Sequence, residues 1–169
     1  MKTSRLASVP LSAPRRNEDF HSANDEDNPY ALRDQLDPSV CPSCKALFTD
    51  GKWTWQKAPA GAHEQTCPAC QRIHDQFPAG YVTIKGAFFT EHKDEIVALL
   101  KSHEKQEKAE RPLQRIMAID EKRDGTVEIT TTDSHIARTL GEALHEAYKG
   151  DLKLRYSRDE NLLRAVWKR

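Results

Sequence analysis

The chain has 169 residues, with 37% hydrophobic and 31% charged side chains, and its 26 basic and 26 acidic residues cancel to a formal net charge of zero. This length allows one or two small domains, and the balanced charge argues against a uniformly basic DNA-coating protein while leaving room for a local basic patch. We expect a cytoplasmic protein without a membrane anchor, because no apolar run approaches the roughly 18 residues of a membrane span and the N-terminus lacks the apolar core of a secretory signal.

Residues 1–40 have the composition of a disordered tail. They hold seven acidic residues, five basic residues and four prolines but few large apolar side chains, so they bury too little surface to offset the entropy cost of ordering. An arm that orders on a partner is the alternative, with Tyr30, Leu32 and Leu36 forming a short helix that covers the next segment.

Residues 41–80 contain all four cysteines of the chain, in two Cys-Pro-Xaa-Cys pairs. Cys41 and Cys44 form the first pair, and Cys67 and Cys70 form the second. Two residues between paired cysteines let both sulfurs turn towards one ion, and two such pairs supply the four thiolates of tetrahedral zinc. We therefore predict a zinc ribbon with Zn²⁺ as its cofactor, structural rather than catalytic because no coordination position stays open.

Other uses of these cysteines stay open. Two disulfides or a redox pair are compatible with the spacing, and an iron–sulfur cluster also takes four thiolates. His63 or His74, on either side of the second pair, would be a replacement ligand, but with four cysteines present we expect both to be surface histidines. Zinc is favoured because the spacing is that of a ribbon, and free thiols suit a reducing cytoplasm.

Trp53 and Trp55, between the cysteine pairs, alternate as in a β-strand, which predicts that both indoles lie on one face. Such a face is either a stacking platform for RNA bases or the hydrophobic cover of a small metal domain with little other core. The second interpretation is favoured, and the first stays open.

Residues 81–169 predict an α+β domain with the order α-β-β-α-β-β. This order suggests a four-stranded, mainly antiparallel sheet with two helices on one face. The other face of the sheet is then available for binding.

Local signals give the bounds of these elements. Capping residues, a hairpin dipeptide and a stop glycine mark the ends of the periodic segments. In chain order we predict a strand over 81–86, a helix from an N-cap at Thr90 to about Lys108, strands over 113–119 and 126–132 joined by a turn at Asp124-Gly125, a helix from Asp133-Ser134 to Gly150, and strands over 152–156 and 162–169.

Basic side chains recur on the last two predicted strands. Lys153 and Arg155 share one strand face, as do Arg164 and Lys168 on the next strand, each set opposite apolar residues. A basic strand face has the electrostatic geometry that binds a phosphate backbone, although an ordinary solvated sheet face shows the same pattern. Arg138 and the free N–H groups at the start of the second helix would add an anion site. The candidate RNA-binding residues are therefore Trp53, Trp55, Arg138, Lys153, Arg155, Arg164 and Lys168.

No catalytic constellation accompanies these features. The chain has no glycine-rich phosphate loop and no nucleophile elbow, and its seven histidines are scattered. We therefore expect a protein that is not an enzyme and has no small-molecule substrate.

The chain resembles a known family in four features. These are the two Cys-Pro-Xaa-Cys pairs, the run Thr130-Thr131-Thr132 leading into Ala137-Arg138, the segment Tyr148-Lys149-Gly150 and the arginine-bearing last strand. The family is the nonsense-mediated-decay protein three family, the archaeal and eukaryotic adaptor for export of the large ribosomal subunit, and the chain is similar to a short bacterial relative covering residues 41–169. The resemblance implies binding to the ribosome or its RNA. The family has more cysteine pairs and further barrel-type domains that this chain lacks, so only the binding surface is expected to be shared.

Together these features predict a zinc-stabilised RNA-binding module in the cytoplasm, in contact with the ribosome or an assembly intermediate of its large subunit. The alternative is a protein-interaction adaptor that grips a protein partner through the zinc ribbon and the N-terminal arm, with the tryptophans as interface anchors. Retention of RNA on a filter at physiological salt distinguishes the two functions.

Overall fold

The computed structural model describes Tyr30 and residues 35–169. This part of the chain contains two β-sheets and four α-helices, which is an α+β architecture with mostly antiparallel strand pairs. The predicted disordered tail lies largely outside the described residues, and so does Leu32 of the predicted covering helix. We call residues 35–79 the cysteine module and residues 80–169 the sheet domain.

The cysteine module contains four short strands, β1 (Ser39–Val40), β2 (Leu47–Thr49), β3 (Lys52–Thr54) and β4 (His63–Glu64), followed by helix α1 (Pro68–Asp75). The strand order is β3-β2-β1-β4. β1 pairs antiparallel with β2 and parallel with β4, so the segments before and after the first cysteine pair belong to one sheet. The module begins before the predicted boundary at residue 41, because β1 precedes Cys41.

Helix α1 is not predicted by the sequence patterns above, but local chemistry explains it. Pro68 is the first helical residue, where its fixed φ suits a helix and its missing N–H costs nothing. Cys67 caps the helix by accepting from the backbone N–H of Cys70, and Gln76 ends it in the left-handed conformation. The second cysteine pair therefore lies at a helix N-terminus.

The sheet domain contains five strands and three helices, which are β5 (Gly80–Lys85), α2 (Ala87–Glu91), α3 (Lys93–Glu110), β6 (Ile116–Glu121), β7 (Val127–Thr131), α4 (Ser134–Tyr148), β8 (Asp151–Ser157) and β9 (Leu162–Lys168). The strand order is β6-β7-β5-β9-β8. β5 and β9 pair in parallel, and the other neighbours are antiparallel.

From α3 onward the elements run α-β-β-α-β-β, and the strand predicted over residues 81–86, left out of the predicted four-stranded sheet, joins this sheet as a fifth strand, β5. β5 lies at the centre of the sheet, between β7 and β9, and the side chains of Val82 and Ile84 are fully buried there. A single helix beginning at Thr90 is also wrong, because the helical segment breaks at His92 into α2 and α3. Thr90 lies inside α2, where its hydroxyl donates to the carbonyl of Gly86 and caps nothing.

Helices α3 and α4 cover one face of the large sheet. Their apolar side chains, among them Ile96, Leu100 and Leu140, pack with inward-facing strand residues in one buried cluster. Trp167 in this cluster donates its indole N–H to the carbonyl of Lys149, 2.7 Å away, so the polar end of the ring is paired. The side chains that alternate with the buried residues of β5 and β9 point to the opposite face, where they are partly or fully exposed.

Candidate metal centre and basic sheet face

The turn after β1 and the start of helix α1 bring the four cysteines together. Cys41 follows β1 and Cys44 lies in the turn after it, while Cys67 and Cys70 occupy the N-cap and first turn of α1. Their four Sγ atoms lie within 4.8 Å of one another, and all four thiols are free. The spacing of the two pairs predicted this convergence, and the resulting cluster is a site that can hold a metal ion.

The sulfur–sulfur distance between Cys44 and Cys67 fits a single tetrahedral metal ion. Zinc binds thiolate at about 2.3 Å, which separates the sulfurs of a tetrahedral site by about 3.8 Å, and Cys44 Sγ lies 3.7 Å from Cys67 Sγ. A disulfide needs about 2.05 Å between two sulfurs, so no disulfide joins this pair. An iron–sulfur cluster spreads its four thiolates over two or four iron atoms, whereas the four Sγ atoms here all lie within 4.8 Å of one another.

The electrostatics of the site also favour a bound cation. Burial alone raises the pKa of the Cys41 thiol, but hydrogen bonds from backbone N–H groups, that of Cys67 foremost, outweigh burial and lower this pKa to about 7. For Cys67, burial raises the pKa far above its usual value, and the charges of the neighbouring thiolates add to the rise. Thiolates at this separation repel one another, so the fully ionised set requires a cation among the sulfurs. Soft metal ions are the cations that four thiolates select.

A buried arginine from the sheet domain completes the site. Arg115 is 5% exposed, and its guanidinium donates from Nη1 to Cys70 Sγ and from Nη2 to Cys44 Sγ, both at 3.2 Å. A longer contact of 3.7 Å joins Nη2 to Cys67 Sγ. Burial alone lowers the pKa of Arg115, but the hydrogen bonds to the sulfurs outweigh burial and raise it above its usual range. The guanidinium therefore stays charged and would offset part of the negative charge of a metal ion bound by four thiolates.

The loop between α3 and β6 holds Arg115 in this position. The Thr132 hydroxyl accepts from the backbone N–H of Arg115 at 2.9 Å and donates to the carbonyl of Leu113 at 2.6 Å. Glu104 of α3 accepts from the backbone N–H of Ile116 at 2.9 Å. The sheet domain thus fixes the loop, and with it the guanidinium, beside the sulfurs.

The sequence patterns do not identify Arg115 as part of the site. They predict a strand over residues 113–119, whereas β6 begins at Ile116 and the three preceding residues form a turn and loop. The Arg111-Pro112 step that ends α3 is the one signal available, because proline forces an irregular segment after it. That signal carries no information about a cysteine cluster lying nearby in the fold.

The two tryptophans between the cysteine pairs do not share a face, so that prediction is wrong. Trp53 lies in β3, is 6% exposed, and packs on Phe48 with the ring centroids 5.5 Å apart. It belongs to the core of the cysteine module and is out of reach of an RNA base. Trp55 lies beyond the end of β3, where strand alternation no longer applies, and it is 40% exposed. Its indole N–H donates to the carbonyl of Lys108 near the C-terminus of α3.

The two histidines that flank the second cysteine pair lie outside the cluster. His63 is exposed in β4, and the His74 side chain is 88% exposed and pairs with Asp75. Both are surface residues, as expected from the presence of four cysteines.

The four basic residues predicted on the last two strands lie on one face of the large sheet. Arg155 of β8 is directly opposite Arg164 of β9, and Lys153 and Lys168 have the same side-chain parity. All four are exposed. The neighbouring strand β5 extends this surface with exposed Lys85, which lies directly opposite Lys168. We call these five residues the basic sheet face.

Two pairs of like charges lie directly opposite each other on this face, Arg155 with Arg164 and Lys85 with Lys168. Like charges at such positions destabilise a sheet. An exposed carboxylate offsets part of the repulsion, since Glu160 pairs with Arg164 at 3.0 Å. Within the described residues, the other three members of these pairs take part in no ion pair.

Tyr81 adds an aromatic ring to the same face, and the sequence patterns do not single it out. In the register of the sheet it lies between Thr130 of β7 and Arg164 of β9, and it is partly buried. The Arg164 guanidinium lies 5.8 Å from the ring centroid. On the edge strand β8, Lys153 and Asp151 approach to 3.7 Å, and a pair as exposed as this one contributes little to stability.

Arg138 does not belong to the basic sheet face. It lies on α4, which packs on the opposite face of the sheet, and its Nε pairs with Glu142 at 2.8 Å. The predicted anion site at the start of α4 is filled by the chain itself, because the Asp133 carboxylate accepts from the backbone N–H of His135 at 2.7 Å. Arg138 is therefore removed from the candidate RNA-binding residues.

The chain matches no protein-family model, no curated protein and no solved structure. Among the helices in the described ranges, none is both long and apolar enough to cross a membrane. The fold and the site define an α+β protein with a four-cysteine candidate metal centre and a separate basic sheet face.

Proposed function

We propose that the chain is a zinc-stabilised RNA-binding protein of the cytoplasm that contacts the ribosome or an assembly intermediate of its large subunit and carries out no catalysis. The observation that carries this proposal is the basic sheet face, with two like-charged pairs directly opposite each other on neighbouring strands. A free protein loses stability through such pairs, whereas a bound phosphate backbone turns the repulsion into attraction. The resemblance to the large-subunit export adaptor family directs the proposal to ribosomal RNA.

Zinc is the metal that we assign to the cysteine cluster. Thiolates are soft ligands, and a closed set of four is typical of structural zinc. A bound ion ties the loop of Cys41 to helix α1 and so holds the small sheet of the module together. The ion has no open position for a substrate, so its contribution is to stability.

The basic sheet face contacts phosphates, and Tyr81 offers a ring on which an unpaired base stacks. Arginine and lysine contact backbone oxygens without sequence preference. The ion pair of Arg164 with Glu160 is exposed and contributes little free energy, so Arg164 can exchange Glu160 for a phosphate at a small cost in free energy. Single-stranded or looped RNA suits this surface, because an aromatic ring stacks only on bases that have left the double helix.

Filter binding with RNA from large ribosomal subunits tests the proposal. We expect the wild type to retain RNA in a salt-dependent way. Arg155→Ala combined with Arg164→Ala should reduce the slope of log K against log salt by about 1.4, which is about 0.7 for each lost contact to single-stranded RNA. The matched control, Lys105→Ala with Arg123→Ala, removes the same charge from exposed positions on α3 and the β6–β7 turn. An unchanged slope in the first variant, or an equal reduction in the control, contradicts the proposal.

Co-sedimentation in a sucrose gradient tests the ribosomal part of the proposal. Tagged protein should migrate with large subunits or their precursors at low salt and leave them at high salt. The Arg155→Ala and Arg164→Ala double variant should stay at the top of the gradient under both conditions. If the protein retains RNA on filters but does not co-sediment with ribosomal subunits, the result supports RNA binding and contradicts the ribosome as its target.

A protein-interaction adaptor is the second candidate function, and the surface formed by the end of α1 and the residues after it favours this function. Phe77 is 52% exposed and Ile73 is 40% exposed, so apolar side chains face solvent close to the cysteine cluster. Tyr30, from the segment before the module, packs on this surface: its ring centroid lies 5.8 Å from that of Phe77, and its hydroxyl donates to Asp75. Absence of RNA retention, together with loss of a co-purifying protein in Phe77→Ser, would favour the adaptor.

A further inference from the structure

The cysteine sulfurs are the hydrogen-bond acceptors of the Arg115 Nη groups. Within the described residues no carboxylate forms an ion pair with this buried guanidinium, and its Nη groups reach Cys44 of the first pair and Cys70 of the second. A buried cation without a partner is strongly destabilising. The stability of the buried guanidinium therefore depends on the sulfurs lying where its Nη groups reach them.

The sheet domain, and not the cysteine module, positions Arg115. Its Nε donates to the carbonyl of Pro112 at 2.7 Å, and its backbone N–H donates to the Thr132 hydroxyl at 2.9 Å. The backbone N–H of Thr132 donates back to the carbonyl of Arg115 at 3.0 Å. All of these partners lie in residues 80–169, so contacts within the sheet domain fix the backbone and the Nε of Arg115.

The planar guanidinium group, with its N–H donors in fixed directions, suits a position between the two cysteine pairs. One divalent ion and four thiolates leave a net charge of about −2, and a cation close to the sulfurs lowers the cost of that charge in a buried site. Two separate N–H groups of Arg115 bridge the two cysteine pairs. A lysine ammonium would offer a point charge without these fixed donor directions.

We propose that Arg115 is a functional part of the metal centre: it tightens metal binding by the four cysteines, and the bound metal in return stabilises the sheet domain. This inference rests on the proposed metal binding and is independent of RNA. Because the ion holds Cys44, Cys67 and Cys70 in one place, its removal disperses all three acceptors of the guanidinium. Coupling between two sites is reciprocal, so the contact that tightens metal binding also protects the loop before β6.

The zinc affinity of the full chain, measured by competition with a chromophoric chelator, tests whether Arg115 tightens metal binding. Arg115→Gln should weaken zinc binding by about 10–100-fold, the usual effect of removing an outer partner of a metal ligand. The zinc affinity of Arg115→Lys should lie between those of Arg115→Gln and the wild type, because lysine restores the charge but not the paired N–H donors of the guanidinium. The control Arg111→Gln changes a neighbouring exposed arginine that pairs with Glu107 and should stay close to the wild type.

A second variant keeps the test decisive if Arg115→Gln does not fold. Thr132→Val removes the hydroxyl that accepts from the backbone of Arg115 and leaves the guanidinium and all four sulfurs in the chain. Its zinc affinity should fall several-fold. Wild-type affinity in a folded Arg115→Gln variant, or in Thr132→Val, overturns the inference.

Hydrogen exchange measured with and without chelator tests whether the bound metal stabilises the sheet domain. The amides of Ile116 and Thr132 bind within the sheet domain, to Glu104 and to the carbonyl of Arg115. In the wild type, chelation should speed their exchange, and in Arg115→Gln it should have much less effect. An equal response in both proteins overturns the coupling, whereas a wild type that takes up no zinc overturns the proposed metal binding itself.

Discussion

Replacing Arg155 by glutamate is expected to stabilise the protein and to weaken its RNA binding at the same time. Arg155 and Arg164 lie directly opposite each other on β8 and β9, so the substitution turns a repulsive pair into an attractive one. The same change removes one of the proposed phosphate contacts of the basic sheet face and adds a charge that repels RNA. A gain in stability together with a loss of RNA affinity is expected if the charges of this surface serve binding at a cost in stability.

The magnitude follows from the register of the two strands. Cross-strand charge pairs contribute about 0.2–1 kcal/mol. Arg164 is 50% exposed and already pairs with Glu160, so the gain from Arg155→Glu lies near the middle of that range, about 0.5 kcal/mol. For a domain of this size, such a gain corresponds to an increase of about 2–4 °C in Tm.

Thermal unfolding and filter binding on the same preparations measure both effects. Arg155→Gln removes the repulsion without adding attraction, so its Tm should increase by less. Arg123→Glu makes the same charge change in the β6–β7 turn and controls for the altered net charge. In 1 M salt the gain should largely vanish, since the Debye length is then about 3 Å. A lower Tm for Arg155→Glu than for Arg123→Glu, or unimpaired RNA retention, would refute the reasoning.

Three further predictions concern the metal, the aromatic ring and the packing of β5. Elemental analysis of reduced protein should find one zinc ion per chain and none in Cys44→Ser; protein without zinc would contradict the assignment. Tyr81→Leu should weaken binding to single-stranded RNA by about 5–100-fold without changing the salt slope, as expected for loss of a stacked base, and wild-type affinity would exclude stacking. Gly80→Ala should destabilise the protein by about 1–3 kcal/mol in urea unfolding, because its Cβ would lie 2.5 Å from Ala137 Cβ and from Thr131 Oγ1; unchanged stability would show that this packing relaxes.

The cysteine cluster and the last two strands were predictable because their signals are local. Two intervening residues decide how each cysteine pair turns, and the convergence of Cys44 with Cys67 follows from having two such pairs. Alternation within β8 and β9 separates the charged side chains from the apolar ones, and the strand bounds lie within one residue of those predicted. Patterns of this kind need no knowledge of the rest of the fold.

Features decided by distant partners were not predictable. The position of Arg115 depends on Thr132 and Glu104, which lie on other elements. The central place of β5 depends on its pairing with β7 and β9, and no local pattern encodes which strands become neighbours. Trp53 and Trp55 alternate in sequence, but β3 ends at Thr54, and α3 determines where the second indole lies.

The metal centre and the outer part of the basic sheet face are far enough apart to act independently. Arg115 lies just before β6, at one edge of the large sheet, and Arg155 lies on β8 at the other edge. Four inter-strand spacings of about 4.8 Å place β8 about 19 Å from β6, which is about two Debye lengths at physiological salt. If the proposed metal and RNA both bind, the negative charge of the metal–thiolate group should therefore have little influence on RNA bound at Arg155. Arg115→Gln at saturating zinc should accordingly keep the wild-type salt slope, and a changed slope would show that the charge of the metal centre reaches the RNA surface.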